Sequence, residues 1–210
     1  MFNVCPRCGR YSEDRAIDPA GPYAVCPHCG HAQPFRRRPL FIVTGASGAG
    51  KTTVSLPLVG TLPGCAVFET DILWCPELNV PDDKWLRFRT LWVRLAKNVA
   101  QSGLASVLCG TFVPEGIESL PERRYLGAVH YLALVCDDEV LAGRLRSRPA
   151  WRQSGDDAFV ARMVAFNGWL RDNAARTEPT MTLLDTTGRS VEDTVATVRS
   201  WICQRLEDGV

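Results

Sequence analysis

The stretch that decides the fold is LFIVTGASGAGKT, residues 40–52. Its first five residues form an apolar run without alternation, which is typical of a strand covered on both faces. Three glycines follow, and glycine adopts backbone angles that are closed to other residues. A helical pattern begins at about Lys51. The stretch therefore predicts a buried strand, a tight glycine-rich turn and the first turn of a helix.

Residues 45–52 match the pattern G-x-x-x-x-G-K-[ST] in this strand–turn–helix setting. Backbone N–H groups at a helix N-terminus attract phosphate. The motif predicts a cradle for ATP, in which Lys51 reaches the β- and γ-phosphates and the hydroxyl of Thr52 binds Mg²⁺. A glycine-rich turn with a chance lysine is the alternative, and the flanking elements argue against it. The expected nucleotide-binding residues are Gly45, Ser47, Gly48, Ala49, Gly50, Lys51, Thr52 and Thr53.

The composition is that of an ordinary globular protein. The chain has 210 residues, of which 46% are hydrophobic and 22% are charged, and its formal net charge is +1. This balance creates no overall attraction to nucleic acid or membrane, and no apolar run is long enough to span a bilayer. The N-terminus, MFNVC, lacks the basic and apolar regions of a secretory signal. We therefore expect a cytoplasmic protein without a membrane partner.

From residue 40 onward, strand patterns alternate with helix patterns, which predicts a parallel sheet with helices on both faces. Strands are predicted at residues 40–44, 66–69, 106–109, 129–135 and 181–184. Helices are predicted from about 51, over 82–101, after Asp137 or Asp138, from Asp156 or Asp157 to about 175, and over 191–206. The predicted fold class is α/β with a five-stranded parallel sheet. The predicted domains are residues 1–35, a linker at 36–39, and residues 40–210.

The first 35 residues carry two copies of C-P-x-C-G, at residues 5–9 and 26–30. Two residues between paired cysteines let both thiolates reach one tetrahedral ion, and four thiolates close its coordination shell. A domain of this size buries little core, so the metal would supply folding energy. The pattern resembles a zinc ribbon with a structural Zn²⁺ at Cys5, Cys8, Cys26 and Cys29. His28 or His31 as substitute ligands, and two disulfides, are the alternatives.

The linker Arg36-Arg37-Arg38-Pro39 separates two regions of different composition. Three consecutive arginines form either a solvated linker or a patch that contacts phosphate or RNA. The partner of the ribbon is not readable: it could dock on the rest of the chain, dimerise or bind nucleic acid. The other five cysteines are scattered and suggest no disulfide framework. Among them, Cys109 and Cys136 lie in apolar runs and are predicted core residues.

Residues 40–207 resemble the nucleoside and nucleotide kinase superfamily, and within it the small-molecule kinases similar to shikimate, gluconate and chloramphenicol kinases. Beyond the P-loop, the resemblance rests on the order and spacing of three segments. The first is Glu69-Thr70-Asp71, at the end of the second strand. In such kinases an aspartate here contacts the acceptor hydroxyl, often as its base, near Mg²⁺. The resemblance implies this catalytic role for Asp71, and a simple strand-end turn is the alternative.

The second segment is RLRSRPAWR, residues 144–152. It looks like the lid of these kinases, in which arginines close on the transferring phosphoryl group and stabilise its charge. The resemblance implies that Arg148 and Arg152 are catalytic and that Arg144 binds the nucleotide. We expect the arginines to lie away from phosphate without ligand and to close over it when both substrates bind. A solvated basic face is the alternative.

The third segment is LDTTG, residues 184–188, which in similar kinases passes the adenine ring and here implies a contact from Thr187. The acceptor would bind after the third strand, at residues 109–114, beyond the carboxyl edge of the sheet. Several side chains could line its pocket, with surface charge or core packing as the alternative role. They are Arg87, Arg89, Arg94, Trp74, Trp85, Phe88 and Trp92.

These observations predict an ATP- and Mg²⁺-dependent kinase that acts on a hydroxyl of a small molecule, such as a nucleoside, a sugar acid or an antibiotic. The alternative is a nucleic-acid-associated protein, in which the ribbon and the arginine run grip RNA or DNA. The P-loop would then serve an ATPase or a polynucleotide 5′-hydroxyl kinase. Asp137, at the end of an apolar strand, could be the metal-binding element of such an ATPase. We prefer Asp137 as a helix cap, because a helical run follows at once.

Overall fold

The computed structural model describes residues 3–207, except residues 14, 19, 84 and 153. Its first sheet is small and antiparallel. It consists of β1 (Ala16–Asp18), β2 (Tyr23–Val25) and β3 (Ala32–Pro34). β2 lies in the centre, with Ala16 opposite Val25 and Tyr23 opposite Pro34. This sheet and the cysteine turns beside it form the region predicted as a ribbon.

The second sheet is parallel and has five strands, which confirms the predicted fold class. Its strands are β4 (Leu40–Gly45), β5 (Cys65–Glu69), β6 (Ala105–Cys109), β7 (Val129–Val135) and β8 (Met181–Asp185). They lie in the order β5-β6-β4-β7-β8, and all four neighbouring pairs are parallel. The strand that leads into the glycine-rich turn, β4, is therefore central.

Helices cover both faces of this sheet. They are α1 (Lys51–Leu58), α2 (Leu86–Gln101), α3 (Glu115–Glu118), α4 (Asp138–Arg146), α5 (Asp157–Asn173) and α6 (Val191–Glu207). α2, α3 and α5 pack on one face, and α1 and α6 pack on the other. In the described part of the chain, no helix combines the length and the apolar character needed to cross a membrane.

The apolar run of β4 contributes to both cores, as its lack of alternation predicts. Leu40 and Ile42 are fully buried against α2 and its neighbours, whereas Phe41 and Val43 are fully buried against α1 and α6. Cys109 is buried in the second of these cores, and Cys136 is buried where α4 packs over the glycine-rich turn. Both cysteines are core residues, as predicted.

The ribbon region packs on the rest of the chain, beside α2 and the turn at residues 121–125. Phe35 and Ala24 bury their side chains against Tyr125. The rings of Phe35 and Tyr125 meet edge-on, with centroids 5.6 Å apart. Three roles were left open for the ribbon: docking on the rest of the chain, dimerisation and nucleic-acid binding. The contacts with Tyr125 support docking.

Polar contacts reinforce the same joint. Lys97 on α2 is fully buried, and its Nζ donates to Asn3 Oδ1 at 2.6 Å and lies 2.7 Å from Glu122 Oε2. Arg94, one turn earlier, bridges Glu122 and Glu13 at 2.8 Å each. Charged side chains of α2 therefore bind residues of the ribbon region across the joint.

The predicted start of α2 at residue 82 is wrong. Residues Pro81–Asp83 form a separate short 3-10 turn, and the α-helix begins at Leu86. Trp85 between them has a φ of 57°, which is incompatible with a continuous right-handed helix. Its indole Nε1 donates to Asn79 Oδ1 at 3.1 Å, which ties the residue to the preceding loop. The apolar periodicity that included Trp85 therefore extended the prediction by one turn.

Asp137 is the N-cap of α4, as preferred in the sequence analysis. Its Oδ1 accepts hydrogen bonds from the backbone N–H groups of Glu139 at 2.9 Å and Val140 at 3.2 Å. These groups have no partner within the helix, so the cap satisfies two of its open donors. The carboxylate that would serve a hydrolysing ATPase is thus engaged by its own helix.

Candidate active site

The turn after β4 owes its shape to glycines. Gly45, Gly48 and Gly50 have φ angles of 149°, 90° and 105°, a region open mainly to glycine. A Cβ at Gly45 would lie 2.6 Å from the carbonyl oxygen of Leu134 on β7. The turn therefore passes close to the neighbouring strand and leads directly into the N-terminus of α1, where anions are stabilised.

Lys51 begins α1 and folds back over this turn. Its Nζ donates to the carbonyl oxygens of Gly45 at 2.8 Å and Ala46 at 3.0 Å. Burial lowers the pKa of Lys51 to about 8, with an opposing contribution from Asp71 and a supporting one from Arg148. The ammonium group thus lies at the cavity wall and donates to two neutral carbonyl oxygens. Phosphate oxygens can replace these carbonyls as its hydrogen-bond acceptors.

Thr52 is paired with a residue that the sequence analysis did not select. Its hydroxyl donates to Oε1 of Glu69, the last residue of β5, at 2.5 Å. A hydroxyl and a carboxylate together are oxygen ligands of the kind that Mg²⁺ takes beside a phosphate. The available signal was that Glu69 stands two residues before Asp71, so that both could serve one site.

Asp71 follows β5 in a 3-10 turn, Thr70–Leu73, at the carboxyl edge of the sheet. The hydroxyl of Thr70 donates to the carbonyl oxygen of Cys109 at the end of β6, at 3.3 Å. A Cβ on Gly110 would overlap the side chain of Thr70. The absence of a side chain at Gly110 therefore lets the ends of β5 and β6 come together beside Asp71.

A cavity of about 260 Å³ collects these groups. The glycine-rich turn and α1, the ends of β5 and β6, and the arginine segment all contribute to its wall. The lining residues are Ser47, Gly48, Gly50, Lys51, Thr52, Thr53, Glu69, Asp71, Cys109, Arg144, Arg148 and Arg152. The fold therefore brings the lysine and arginines predicted from the sequence into one cavity with Asp71, the residue expected to contact the acceptor hydroxyl.

The arginine segment lies over the cavity in this structure. Arg144, Arg148 and Arg152 all line it, and their closure over phosphate when both substrates bind stays a prediction. The pKa of Arg148 is lowered by burial and by the like charge of Arg152. Arg146 lies apart from this group and pairs with Asp157 at 2.9 Å. The cavity thus concentrates positive charge that a bound anion would relieve.

A second cavity, of about 200 Å³, continues along the turn toward the β8–α6 loop. Thr186 lines it, whereas Thr187, the predicted contact, does not. The hydroxyl of Thr187 instead accepts the backbone N–H of Asp137 at 2.7 Å. Arg144 donates to Thr186 Oγ1 and to its carbonyl oxygen, both at 3.3 Å, and lines both cavities. The expected loop is thus adjacent to the cavity, but the threonine that lines it is the largely buried Thr186, one residue earlier than predicted.

One predicted backbone donor is engaged within the turn. The N–H of Ala49 donates to the carbonyl oxygen of Ala46 at 3.1 Å. Ala49 nevertheless lines the second cavity. Gly48 lies beneath α4, where a Cβ would approach Leu141 and Leu145 to 3.0 Å and 3.2 Å. The packing of α4 on this glycine fixes the distance between the arginine segment and the turn.

Several solved structures have the same architecture, although no family model and no curated protein matches the sequence. A gluconokinase from Sinorhizobium meliloti 1021 superposes with a TM-score of 0.59 at 17% identity, over 82% of this chain and 96% of the other. A sugar kinase from Janibacter sp. HTCC2649 superposes with a TM-score of 0.55 at 18% identity, over 83% of this chain and 99% of the other. The tunicamycin resistance protein of Deinococcus radiodurans superposes with a TM-score of 0.55 at 20% identity, over 79% of this chain and 96% of the other.

The chain has the fold of the P-loop kinases. In this P-loop kinase fold, ligands bind beyond the carboxyl ends of the strands. Both cavities lie at that edge, since the turn after β4, the end of β5 and the β8–α6 loop form their walls. The fold and the position of the cavities therefore agree with each other.

The structure places four of the side chains considered for an acceptor pocket in three different settings. Phe88 and Trp92 are buried in the core, where Phe88 stacks on Phe112 with ring centroids 6.1 Å apart. Trp74 is 48% exposed and meets Phe88 edge-on at 5.3 Å. Arg94 is engaged in the joint with the ribbon. Core packing thus accounts for two of the aromatic residues, and Trp74 remains on the surface, three residues beyond Asp71.

The predicted zinc ligands form a compact cluster. The Sγ atoms of Cys5, Cys8, Cys26 and Cys29 all lie within 4.8 Å of one another. Two of the distances are 3.7 Å and 3.8 Å. Bonds of about 2.3 Å to a tetrahedral zinc place sulfur atoms about 3.8 Å apart. The cluster therefore fits a zinc ribbon, and the geometry suits one ion with four thiolate ligands.

The two cysteine turns have equivalent backbones. Gly9 and Gly30, with φ angles of 70° and 69°, donate their N–H groups to the carbonyl oxygens of Cys5 and Cys26 at 2.9 Å and 3.0 Å. Burial raises the pKa of Cys5, but backbone N–H groups of the same turn outweigh it and lower the pKa to about 6. His28 lies outside the cluster, with Nδ1 3.4 Å from Arg10. The alternative of a histidine ligand thus finds no geometric support at His28.

Proposed function

We propose that this protein transfers the γ-phosphoryl group of ATP to a hydroxyl group of a small molecule. The observation that carries the proposal is the cavity in which a P-loop lysine, a carboxylate and three arginines converge. The P-loop kinase fold of the chain supports it, because a sugar kinase and a gluconokinase share that fold. A sugar or sugar acid is the acceptor class that we favour.

The nucleotide would lie across the two adjoining cavities. Its β- and γ-phosphates would bind the backbone N–H groups of residues 45–50 and the ammonium of Lys51. The base would lie toward Thr186 and the β8–α6 loop. Mg²⁺, held at Thr52 with Glu69 nearby, would neutralise charge on the phosphates when bound. The cytoplasm, where ATP is abundant and the cysteines stay reduced, is the proposed location.

Transfer requires an in-line approach of the acceptor oxygen to the γ-phosphorus. Asp71 would orient the acceptor hydroxyl and accept its proton as the new P–O bond forms and the bond to the β-phosphate oxygen breaks. Arg148 and Arg152 would stabilise the charge on the transferring group, and would exclude water from it by lying over the cavity. ADP and the phosphorylated acceptor would then leave.

Asp71→Asn tests this proposal directly. The variant keeps the size of the side chain and removes its basicity, so transfer from labelled ATP to sugars, sugar acids and nucleosides should fall at least about a hundredfold. ATP affinity should change little, since Asp71 is expected to contact the acceptor. Asp172→Asn, at an exposed position on α5, is the matched control and should leave transfer unchanged. Equal transfer by the Asp71 variant would remove the assigned role.

A nucleic-acid 5′-hydroxyl is a less favoured acceptor. The three consecutive arginines at residues 36–38 precede β4 and therefore lie at the amino edge of the sheet, whereas the cavity lies at the carboxyl edge. A nucleic-acid strand bound by those arginines would have to extend along the whole length of the sheet before its 5′ end reached Asp71. The assay panel should include a 5′-hydroxyl oligonucleotide, and its preferential phosphorylation would reverse this order of preference.

A further inference from the structure

A separate cleft of about 820 Å³ lies where the ribbon region meets the amino edge of the large sheet. We call it the ribbon cleft. It is lined by Arg36, Arg37 and Arg38 together with Phe35, Asp18 and Gly103, among others. None of its described lining residues belongs to the two cavities at the P-loop. The ribbon cleft is therefore a distinct concave surface that phosphoryl transfer does not use.

The arginine run is held in place at the backbone. Gln101, at the end of α2, accepts the N–H of Arg36 at 3.0 Å and donates to its carbonyl oxygen at 3.2 Å. The carbonyl oxygen of Arg38 accepts the N–H of Gly127 at 3.0 Å. A freely solvated linker needs no such anchors, so these contacts argue for a fixed presentation of the three charges.

The described residues supply no acidic partner that neutralises the charges of the run. Within the described part of the chain, Arg36, Arg37 and Arg38 form no salt bridge, and Nε of Arg38 is buried without a hydrogen-bond partner. Asp18, an acid in the cleft wall, accepts the N–H of Ala20 at 2.9 Å in its own turn. A concave surface with three guanidinium groups, none of them in a salt bridge to a described residue, favours an anionic occupant.

Aromatic rings accompany the arginines. The guanidinium of Arg37 lies over the ring of Phe35, 5.6 Å from its centroid. Tyr23 is 41% exposed, and its ring lies against the cleft residue Gly21, where a Cβ would be 2.8 Å away. A basic groove for phosphates with exposed aromatic faces for bases is the pattern by which proteins hold single strands. A small anion would need the charges but not the exposed ring.

We propose that the ribbon cleft binds the phosphate backbone of a single-stranded nucleic acid. The site is independent of the P-loop: Arg38 precedes β4 and Gly45 ends it, so the length of the six-residue strand, roughly 20 Å, separates the two. Arg36 and Arg38 contact phosphates, Arg37 contacts phosphate or base, and Tyr23 stacks on a base. The protein thereby combines a phosphate-transfer site at one sheet edge with a nucleic-acid site at the other.

The test uses the full-length zinc-loaded protein with saturating ATP and Mg²⁺, so that the P-loop is blocked. Binding of a fluorescein-labelled single-stranded RNA 12-mer is followed by anisotropy between 50 and 200 mM salt. Changing Arg36, Arg37 and Arg38 together to Gln should weaken binding at least about tenfold at 100 mM salt. It should also reduce the slope of log affinity against log salt by about 2, since each phosphate contact contributes about 0.7.

A matched variant changes three arginines outside the cleft, Arg162, Arg176 and Arg205, to Gln. It loses the same net charge and should bind the RNA as the native protein does. The proposal is overturned if the native protein fails to bind at 50 mM salt, or if both triple variants lose affinity equally. It is also overturned if inorganic polyphosphate or a poly-glutamate peptide displaces the RNA at equal charge concentration, since the cleft would then serve another anion. Tyr23→Ala should weaken RNA binding without affecting polyphosphate.

Discussion

Glu122→Gln should destabilise the whole protein, because it removes the carboxylate that pairs with the buried ammonium of Lys97. Lys97 is fully buried, and Glu122 is 3% exposed and lies 2.7 Å from it. Removing one partner of a buried pair costs about 3–5 kcal/mol. The hydrogen bond from Lys97 to Asn3 remains, so we expect a loss near the lower end, about 3 kcal/mol.

A second route sets an upper limit on this loss. Lys97 can escape the buried charge by releasing its proton. From a reference pKa of about 10.4, deprotonation at pH 7 costs roughly 1.4 kcal/mol per pH unit, or about 5 kcal/mol. The free energy of unfolding should therefore fall by about 3 kcal/mol, and by no more than about 5.

Urea unfolding of the zinc-loaded protein measures this effect. The double variant Lys97→Met with Glu122→Gln removes both charges and should be more stable than Glu122→Gln alone. Asp157→Asn, which breaks the exposed pair between Asp157 and Arg146, is the control and should cost less than about 1 kcal/mol. A loss for Glu122→Gln as small as that of the control would refute the reasoning.

Four further results are expected. Glu69→Gln should lower turnover at least about tenfold and raise the Mg²⁺ concentration needed for half-maximal rate; an unaltered Mg²⁺ dependence would exclude Glu69 from the metal site. Gly110→Ala should cost about 1–3 kcal/mol in thermal unfolding through overlap with Thr70, and the added change Thr70→Ser should not make it worse. ATP affinity should fall as the pH rises through about 8, because Lys51 loses its charge above its pKa; a flat profile from pH 7 to 9.5 would contradict this. Zinc chelation, or Cys8→Ser, should lower the melting temperature of the full-length protein, whereas a melting curve indifferent to chelator would show that the cysteines hold no metal.

Much of the fold is encoded locally and could be predicted. The run at residues 40–44 is apolar at both odd and even positions, and such a strand is stable only between two layers. The start of α2 could not be predicted, because Trp85 has a left-handed backbone conformation. Bulky residues rarely adopt this conformation, so nothing in the sequence indicates it. The hydrophobic period was correct for Phe88 and Trp92, and the error came from extending it one turn too far.

The candidate site was predictable where one segment carries the chemistry. Lys51, Thr52 and Asp71 were selected from short motifs, and all three line one cavity. Partnerships between distant segments were not predictable. Glu69 became a candidate only when its contact with Thr52 was visible, and Arg94 was considered for the acceptor although it binds Glu13, 81 residues away. A single sequence does not reveal such pairs.

The shortness of the linker has a consequence for the ribbon. The predicted linker, residues 36–39, can span at most about 14 Å, so an undocked ribbon would stay within reach of its docking surface. A tether of this length gives an effective concentration in the millimolar range or higher. Contacts that are too weak to hold two separate chains together are then sufficient to keep the ribbon docked. A free peptide of residues 1–35 would need a concentration in the same millimolar range to displace the attached ribbon.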